Sequence, residues 1–207
     1  MNKNYSKILE ELLEKISQTR KIPNLLLHSC CAPCSSYVIS YLTNYFNITI
    51  LYYNPNISPH EEYLKRKNEQ IRLINSLPHK HQLTILDCDY DNVIYEEKIK
   101  GKEQEPERGS RCTICFNLRL EKTAQLAKEN NFDYFGTTLT VSPYKNSNLI
   151  NEIGYSLEAK YHINWLPSDF KKKDGYKKSI ILSHEYNLYR QNYCGCQYSK
   201  PKSPSKE

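Results

Sequence analysis

The sequence predicts an α/β protein built on a doubly wound, mostly parallel sheet of about five strands with helices on both faces. Three observations predict it. Short apolar runs recur along the 207 residues, each followed by a longer stretch with apolar residues at helical spacing, the pattern of βαβ units joined by right-handed crossovers. The length suits one sizeable domain with its own core and requires no second one. The least ordinary residues, cysteines above all, gather where the apolar runs end, which is where open α/β sheets bind ligands.

The elements follow in order. Residues 5–20 carry Tyr5, Ile8, Leu9, Leu12, Leu13 and Ile16 between charged positions, an amphipathic helix suited to covering the sheet. Residues 22–28 read as a buried strand that hands over at Cys30-Cys31-Ala32-Pro33-Cys34 to a helix, with Pro33 tolerated in its first turn and Tyr37, Val38, Tyr41, Leu42 and Tyr45 following. Residues 48–53 form a second strand ending in Asn54-Pro55-Asn56, and 58–76 a polar-faced helix with Glu61, Glu62, Tyr63 and Arg66. A third strand over 83–87 ends in Cys88-Asp89-Tyr90, and 92–98 is a short helix. Residues 100–111 are a charged Gly/Glu/Pro stretch expected as an exposed loop; Cys112 and Cys115 then open a long helix over 116–130. A fourth strand spans 132–139 and runs into residues 140–146, a helix 149–160, a fifth strand 163–166 and a last helix 176–189. The whole is Rossmann-like. Residues 1–198 are expected as a single catalytic α/β domain and 199–207 as a disordered basic tail.

Composition narrows the class. The longest apolar runs are far shorter than the roughly 20 residues needed to cross a bilayer, and the N-terminus leads into an amphipathic segment, so a cytoplasmic protein without a membrane partner is expected. Eight cysteines without an export signal point to metal or redox chemistry in place of a secreted disulfide scaffold. The net charge of +6 suits a polyanionic partner. Eighteen tyrosines serve first in packing; stacking on bases is a second use.

The cysteines fall into groups. The Cys30, Cys31, Cys34 group and the Cys112, Cys115 pair lie much further apart than the roughly 12 to 20 residues of a zinc ribbon, but a doubly wound fold can bring remote pairs together. Thiolate-rich sites favour zinc or iron–sulfur, and spacing does not separate the two. The surplus of thiols over the four that tetrahedral zinc uses favours a cluster plus a separate redox or metal function. Cys31 and Cys34 also read as a dithiol motif at a helix N-terminus, where free amides lower a thiol pKa. Cys194 and Cys196, one residue apart, either close a strained and readily reduced ring disulfide or act as further metal ligands. Cys88 reads as a small buried hydrophobe.

Seven blocks in order give the chain a wider resemblance: Leu-Leu-Leu-His-Ser-Cys-Cys-Ala-Pro-Cys-Ser-Ser from Leu25, Tyr-Asn-Pro-Asn-Ile from Tyr53, Glu62-Tyr63 with Arg66, Arg111-Cys112-x-x-Cys115 with Arg119-Leu120, Thr-Thr-Leu-x-x-Ser-Pro-Tyr-Lys-Asn from Thr137, Ser168-Asp169-Phe170-Lys171-Lys172, and Leu-Tyr-Arg-Gln-x-Tyr-Cys-Gly-Cys from Leu188. On these residues, which cover nearly the whole chain, the sequence resembles the epoxyqueuosine reductase QueH family. The resemblance implies the final step of queuosine formation, in which the epoxide of epoxyqueuosine at the wobble position of tRNA is reduced to an alkene with loss of water. It implies a [4Fe-4S] cluster held by Cys30, Cys31, Cys112 and Cys115, a redox-active pair in Cys194 and Cys196, and a second metal ion, iron or zinc, to which Cys34 contributes. The implied partners are tRNA carrying epoxyqueuosine in the anticodon loop and an unidentified electron donor.

The residues are consistent with that chemistry. Epoxide opening needs two electrons, protons and a group that stabilises the developing alkoxide. Asp89, Tyr144 and His28 are candidate proton donors at strand ends, each with a structural alternative as cap, core-edge ring or turn residue. Arg66, Tyr144 and Lys145 are the candidate substrate-binding residues, and Arg66, Lys145, Arg119 and Lys171 to Lys173 candidate phosphate contacts. The alternative function is a thioredoxin-like dithiol–disulfide oxidoreductase using Cys31 and Cys34; a third is a zinc-stapled RNA-binding module.

Overall fold

The structure, a computed structural model, describes residues 3–200. It opens with helix α1 (Tyr5–Ser17), capped by the Asn4 side chain, which accepts a hydrogen bond from the Lys7 amide at 3.2 Å. Tyr5, Leu9, Leu13 and Ile16 form its buried stripe. Strand β1 (Asn24–His28) begins only after Pro23, which has no N–H to give a sheet ladder. Its residues Leu25, Leu26 and Leu27 are completely buried, as a strand covered on both faces requires. Helix α2 (Ala32–Leu42), strand β2 (Asn47–Leu51), helix α3 (His60–Ser76), strand β3 (Leu83–Leu86) and helix α4 (Asn92–Lys98) follow. The second half comprises helix α5 (Ser110–Glu129), strand β4 (Tyr134–Thr137), a 3-10 turn (Leu139–Val141), helix α6 (Ser147–Tyr161), strand β5 (Asn164–Trp165) and helix α7 (Gly175–Glu185).

All four strand pairings are parallel, and the order is β3-β2-β1-β4-β5. This is the doubly wound fold that the sequence predicts. Because side chains alternate across a strand, Leu25 and Leu27 pack with α1, α2 and α3 on one face, and Leu26 packs with α5 and α6 on the other. At α6 the approach is close: a Cβ on Gly154 would sit 2.2 Å from the Trp165 ring. The chain winds outward from β1 to β3, then returns to add β4 on the other side of β1. The switch point therefore lies beyond the carboxyl ends of β1 and β4, where such folds bind ligands. There the Thr138 amide donates to the His28 carbonyl and the Cys30 amide to Thr138 Oγ1.

Several boundaries differ from the sequence reading. Residues 110 and 111 are helical, and Arg111 is buried instead of lying in an exposed loop. Its guanidinium folds back on the preceding segment, donating to the carbonyls of Lys102, Glu103 and Glu105 at 3.3, 2.9 and 2.7 Å. The fourth strand is shorter than 132–139: Phe132 still closes the end of α5 through a hydrogen bond to Ala127, and the chain turns into the 3-10 helix after Thr138. The last helix ends at Glu185, and Asn187, with φ +47°, turns the chain toward the C-terminal cysteines. A 3-10 turn, Gln197–Ser199, follows them, and residues 201–207 of the expected tail lie outside the described residues. No helix among the described residues is long and apolar enough to cross a membrane.

Candidate active site

The strand-to-helix turn after β1 gathers the first thiols. Cys31 is the N-cap of α2 in extended conformation, so Cys30 and Cys31 stand at the strand end and Cys34 in the first helical turn. Their sulfurs all lie within 4.8 Å of one another, with Cys30 and Cys31 at 3.9 Å. Hydrogen bonds from the Cys31 and Cys34 thiols hold Cys30 well below the usual thiol pKa, with Lys145 and His28 adding to the effect against burial. The two donors rise in turn; Cys31 is pushed up to about 12. The dithiol alternative expected a lowered thiol within the Cys31 and Cys34 pair, and both of these are raised. The lowered thiol is Cys30.

Beneath the triad lies a buried polar layer. Ser29 and Ser35 both donate to Gln70 Oε1, at 2.7 and 2.8 Å, and Asn54 donates to the Ser29 carbonyl. His28 is fully buried, with Nδ1 2.9 Å from Thr137 Oγ1 and Nε2 3.1 Å from the Tyr53 carbonyl. A carbonyl only accepts, so this network assigns the proton to Nε2. Burial, then Arg119, lowers its pKa to about 3, so the ring is neutral and both nitrogens are engaged inside the protein.

A second group of thiols faces a cavity of ≈ 350 Å³. Cys112 and Cys115 sit on one face of the first turns of α5, and Cys194 and Cys196 arrive from the C-terminal segment. Burial pushes Cys115 up to about 12 against the pull of Arg119. Burial also raises Cys112, whose sulfur accepts the Arg108 amide at 3.2 Å. Cys196 lies 3.2 Å from the Tyr95 hydroxyl, and all eight cysteines are free thiols. A neighbouring cavity of ≈ 370 Å³ reaches Cys34, and the two share Glu107, Tyr144, Lys145, Cys194 and Ser199.

Two cations stand among the thiols. Burial alone would lower the Lys145 pKa, but Cys30, Cys34 and Cys194 outweigh it and hold the ammonium charged. Arg119, buried on α5, is likewise stabilised against its burial by Cys115, Cys194 and Cys30. The remaining predicted residues are dispersed. Tyr144 lies exposed on the rim, its ring 5.8 Å from the Arg108 guanidinium carbon. Arg66 is buried, its donors directed to Glu62 and the carbonyls of Tyr193 and Cys194. Asp89 is exposed beyond β3. Lys171 pairs with Asp169 and Lys173 with Glu10, on the α1 side of the molecule. Cys88 is half-buried, lines neither cavity and is raised to about 11 by burial. Tyr95 and Glu107 line the site without having been singled out from the sequence. The only available signal was the position of Glu107 just ahead of the Cys112 pair.

The donor set fits a metal centre: three sulfurs converge within reach of one ion, further thiols face the adjoining space, and two cations offset thiolate charge. Fold and site thus define a doubly wound α/β protein with a thiol centre at its switch point, able to bind a soft metal. The family model described as "Epoxyqueuosine reductase QueH" matches residues 25–202. Curated relatives carry the same name. That of Staphylococcus epidermidis is 43% identical over 203 residues, covering 96% of this chain and 85% of the relative. That of Streptococcus pyogenes is 42% identical, covering 95% and 78%, and that of Thermotoga maritima 35% identical, covering 84% and 89%. The chain belongs to the epoxyqueuosine reductase QueH family, a family of oxidoreductases.

Proposed function

We propose that this protein reduces epoxyqueuosine in the anticodon loop of tRNA to queuosine, using a [4Fe-4S] cluster held by Cys30, Cys31, Cys112 and Cys115. The observation that carries this reading is the convergence of seven of the eight cysteines with Lys145 and Arg119 around adjoining cavities at the switch point. When bound, the cluster supplies electron transfer and a Lewis-acidic face for oxygen. Cys34 reaches the second cavity and would contribute to a second metal ion, iron or zinc. Cys194 and Cys196 act as the redox pair: closing them to a disulfide releases two electrons and two protons. Reduction of an epoxide to an alkene with loss of water consumes that same complement. An external electron donor then restores the dithiol.

Lys145 lies close enough to the thiols to stabilise charge developing on the leaving oxygen, and Tyr144 offers a ring at the rim on which a splayed loop base can stack. Arg66 acts from behind the site by fixing the Cys194 turn. The free thiols suit a reducing, cytoplasmic setting.

The test is reaction of anaerobically purified, reduced protein with tRNA bearing epoxyqueuosine, followed by nucleoside analysis. Queuosine should appear as epoxyqueuosine disappears. Unchanged epoxyqueuosine with metal-loaded protein contradicts the reading. If Cys31→Ser and Cys34→Ser abolish activity while Cys112→Ser and Cys115→Ser do not, the dithiol alternative takes its place.

A further inference from the structure

The segment between α4 and α5 carries three carboxylates, of which two are occupied. Glu103 accepts from the Gly101 amide at 3.0 Å, and Glu105 accepts from Ser110 Oγ and the Arg111 amide at the start of α5. Glu107 makes no hydrogen bond or ion pair among the described residues; it is exposed and lines both cavities. The next residue, Arg108, has φ +77°, a left-handed conformation that a non-glycine residue holds only where its surroundings impose it. The hydrogen bond from its amide to Cys112 Sγ fixes that turn to the thiol wall. Its guanidinium lies over the Tyr144 ring, 5.8 Å from the ring centre, and Tyr144 is 61% exposed. The mouth of the cavity therefore presents a guanidinium plane, an aromatic face and one uncommitted carboxylate.

We propose that Glu107 reads the Watson–Crick edge of a guanine-type base stacked on the exposed face of the Tyr144 ring, with Arg108 beside it. This deepens the function proposed above and rests on it. An ionised carboxylate offers two acceptors and no donor, so it matches a base edge with two adjacent N–H donors. Guanine has that edge, in N1–H and the 2-amino group; adenine, cytosine and uracil each place an acceptor there. Single-stranded loop bases are recognised by this combination of stacking on aromatic or guanidinium planes and hydrogen bonding along the edge. Epoxyqueuosine is a 7-deazaguanine nucleoside, so its Watson–Crick edge is that of guanine and its epoxide-bearing arm leaves from the opposite side of the ring system. With the edge held at the rim by Glu107, the arm points inward to Cys194 and Cys196.

The test uses metal-loaded full-length protein and two anticodon stem-loops, with guanosine or inosine at the wobble position, since inosine lacks the 2-amino donor. Wild type should bind the guanosine loop about tenfold more tightly by fluorescence anisotropy, and Glu107→Ala should lose that preference. With epoxyqueuosine-bearing tRNA, Glu107→Ala should raise KM about tenfold, with a smaller fall in kcat. Equal affinity of wild type for the two loops overturns the proposal, and this comparison needs no variant to fold. A Glu107→Gln or Glu107→Ala variant that loses kcat at unchanged KM and keeps the preference overturns it as well, because the carboxyl would then act in proton transfer. If wild type prefers guanosine but never consumes epoxyqueuosine, the proposed reaction falls and the base reading stands. If it consumes epoxyqueuosine without preferring guanosine, the base reading alone falls.

Discussion

Arg66 Nη1 donates to the main-chain carbonyl of Cys194 at 3.3 Å, although 128 positions separate them in sequence. The same guanidinium reaches the Tyr193 carbonyl at 3.5 Å, lies 4.9 Å from the Tyr193 ring centre and pairs through Nε with Glu62 at 2.7 Å. It is 1% exposed, and its charge is balanced by a carboxylate on its own helix. Arg66 thus anchors the C-terminal Cys-Gly-Cys turn to α3. Arg66→Lys keeps the charge but loses the planar fork, and should cost about 1–3 kcal/mol of stability. Cys194 should then react faster with iodoacetamide in a protein that still folds; an unchanged rate contradicts the anchoring role.

Gly195 has φ +110°, and a Cβ there would lie 2.8 Å from Ile57 Cγ1 and 3.1 Å from Arg66 Nη1. Its carbonyl accepts the Ser58 amide at 3.0 Å, so the turn has little room to shift. Gly195→Ala should impose local strain of about 1–3 kcal/mol and lower turnover by at least about tenfold. Circular dichroism and thiol titration should show a folded protein with eight thiols. Wild-type turnover in this variant would show that the turn geometry is not used.

The Tyr95 hydroxyl faces Cys196. Burial raises the Cys196 thiol, and the Tyr95 hydrogen bond opposes that rise. Tyr95→Phe removes the opposing contribution, so the thiol pKa should climb further. Ultraviolet thiolate absorbance during a pH titration checks it. A titration of Cys196 that does not move contradicts the assignment.

Glu69 and Arg72 clamp the segment that carries the cysteine turn. Glu69 accepts the Tyr189 amide at 2.6 Å, and Arg72 donates to the carbonyls of Tyr186 and Asn187, both at 3.0 Å. The Arg72 guanidinium, helped by the Tyr189 amide and opposed by burial, holds the Glu69 carboxyl below its ordinary value of 4.5. A depressed folded-state pKa contributes stability that is complete above the unfolded value and lost as pH falls through the folded one. Hydrogen-exchange protection over residues 186–196 should therefore hold at neutral pH and decline in acid below 4.5. Glu69→Gln should show the loosened segment at neutral pH. Equal protection in the two proteins contradicts the clamp.

Much of the fold was legible because local pattern and tertiary environment agree. The fully apolar Leu25 to Leu27 run could only be a covered central strand, and Pro33 marked the helix start. The cysteine groups were legible as groups, and their position at strand ends followed from the topology. Other features depend on contacts between distant parts of the chain. Arg111 sits in a charged stretch and reads as solvent-facing, yet three carbonyls of that stretch turn inward to receive it. Arg66 reads as a candidate phosphate contact; its burial and its bonds to the C-terminal carbonyls show only in the fold. Tyr95 is an ordinary residue in its local sequence, and only the closing of the chain around the cavity sets it beside Cys196; Glu107 is close to Cys112 in sequence, but its place at the cavity mouth shows only in the fold. The 132–139 run reads as one strand around Tyr134 and Phe135, but its first and last residues are spent on a helix end and a 3-10 turn.

The iron and acid-labile sulfide content of anaerobically purified protein, read beside its cysteine variants, tests the central claim most directly. Wild type should hold about four iron and four sulfide per chain with broad absorbance near ~400 nm. Cys30→Ser, Cys31→Ser, Cys112→Ser and Cys115→Ser should each lose the cluster, while Cys194→Ser should retain it. Stoichiometric zinc without sulfide would contradict the account. So would an intact cluster in both Cys112→Ser and Cys115→Ser, which would confine the metal to Cys30, Cys31 and Cys34.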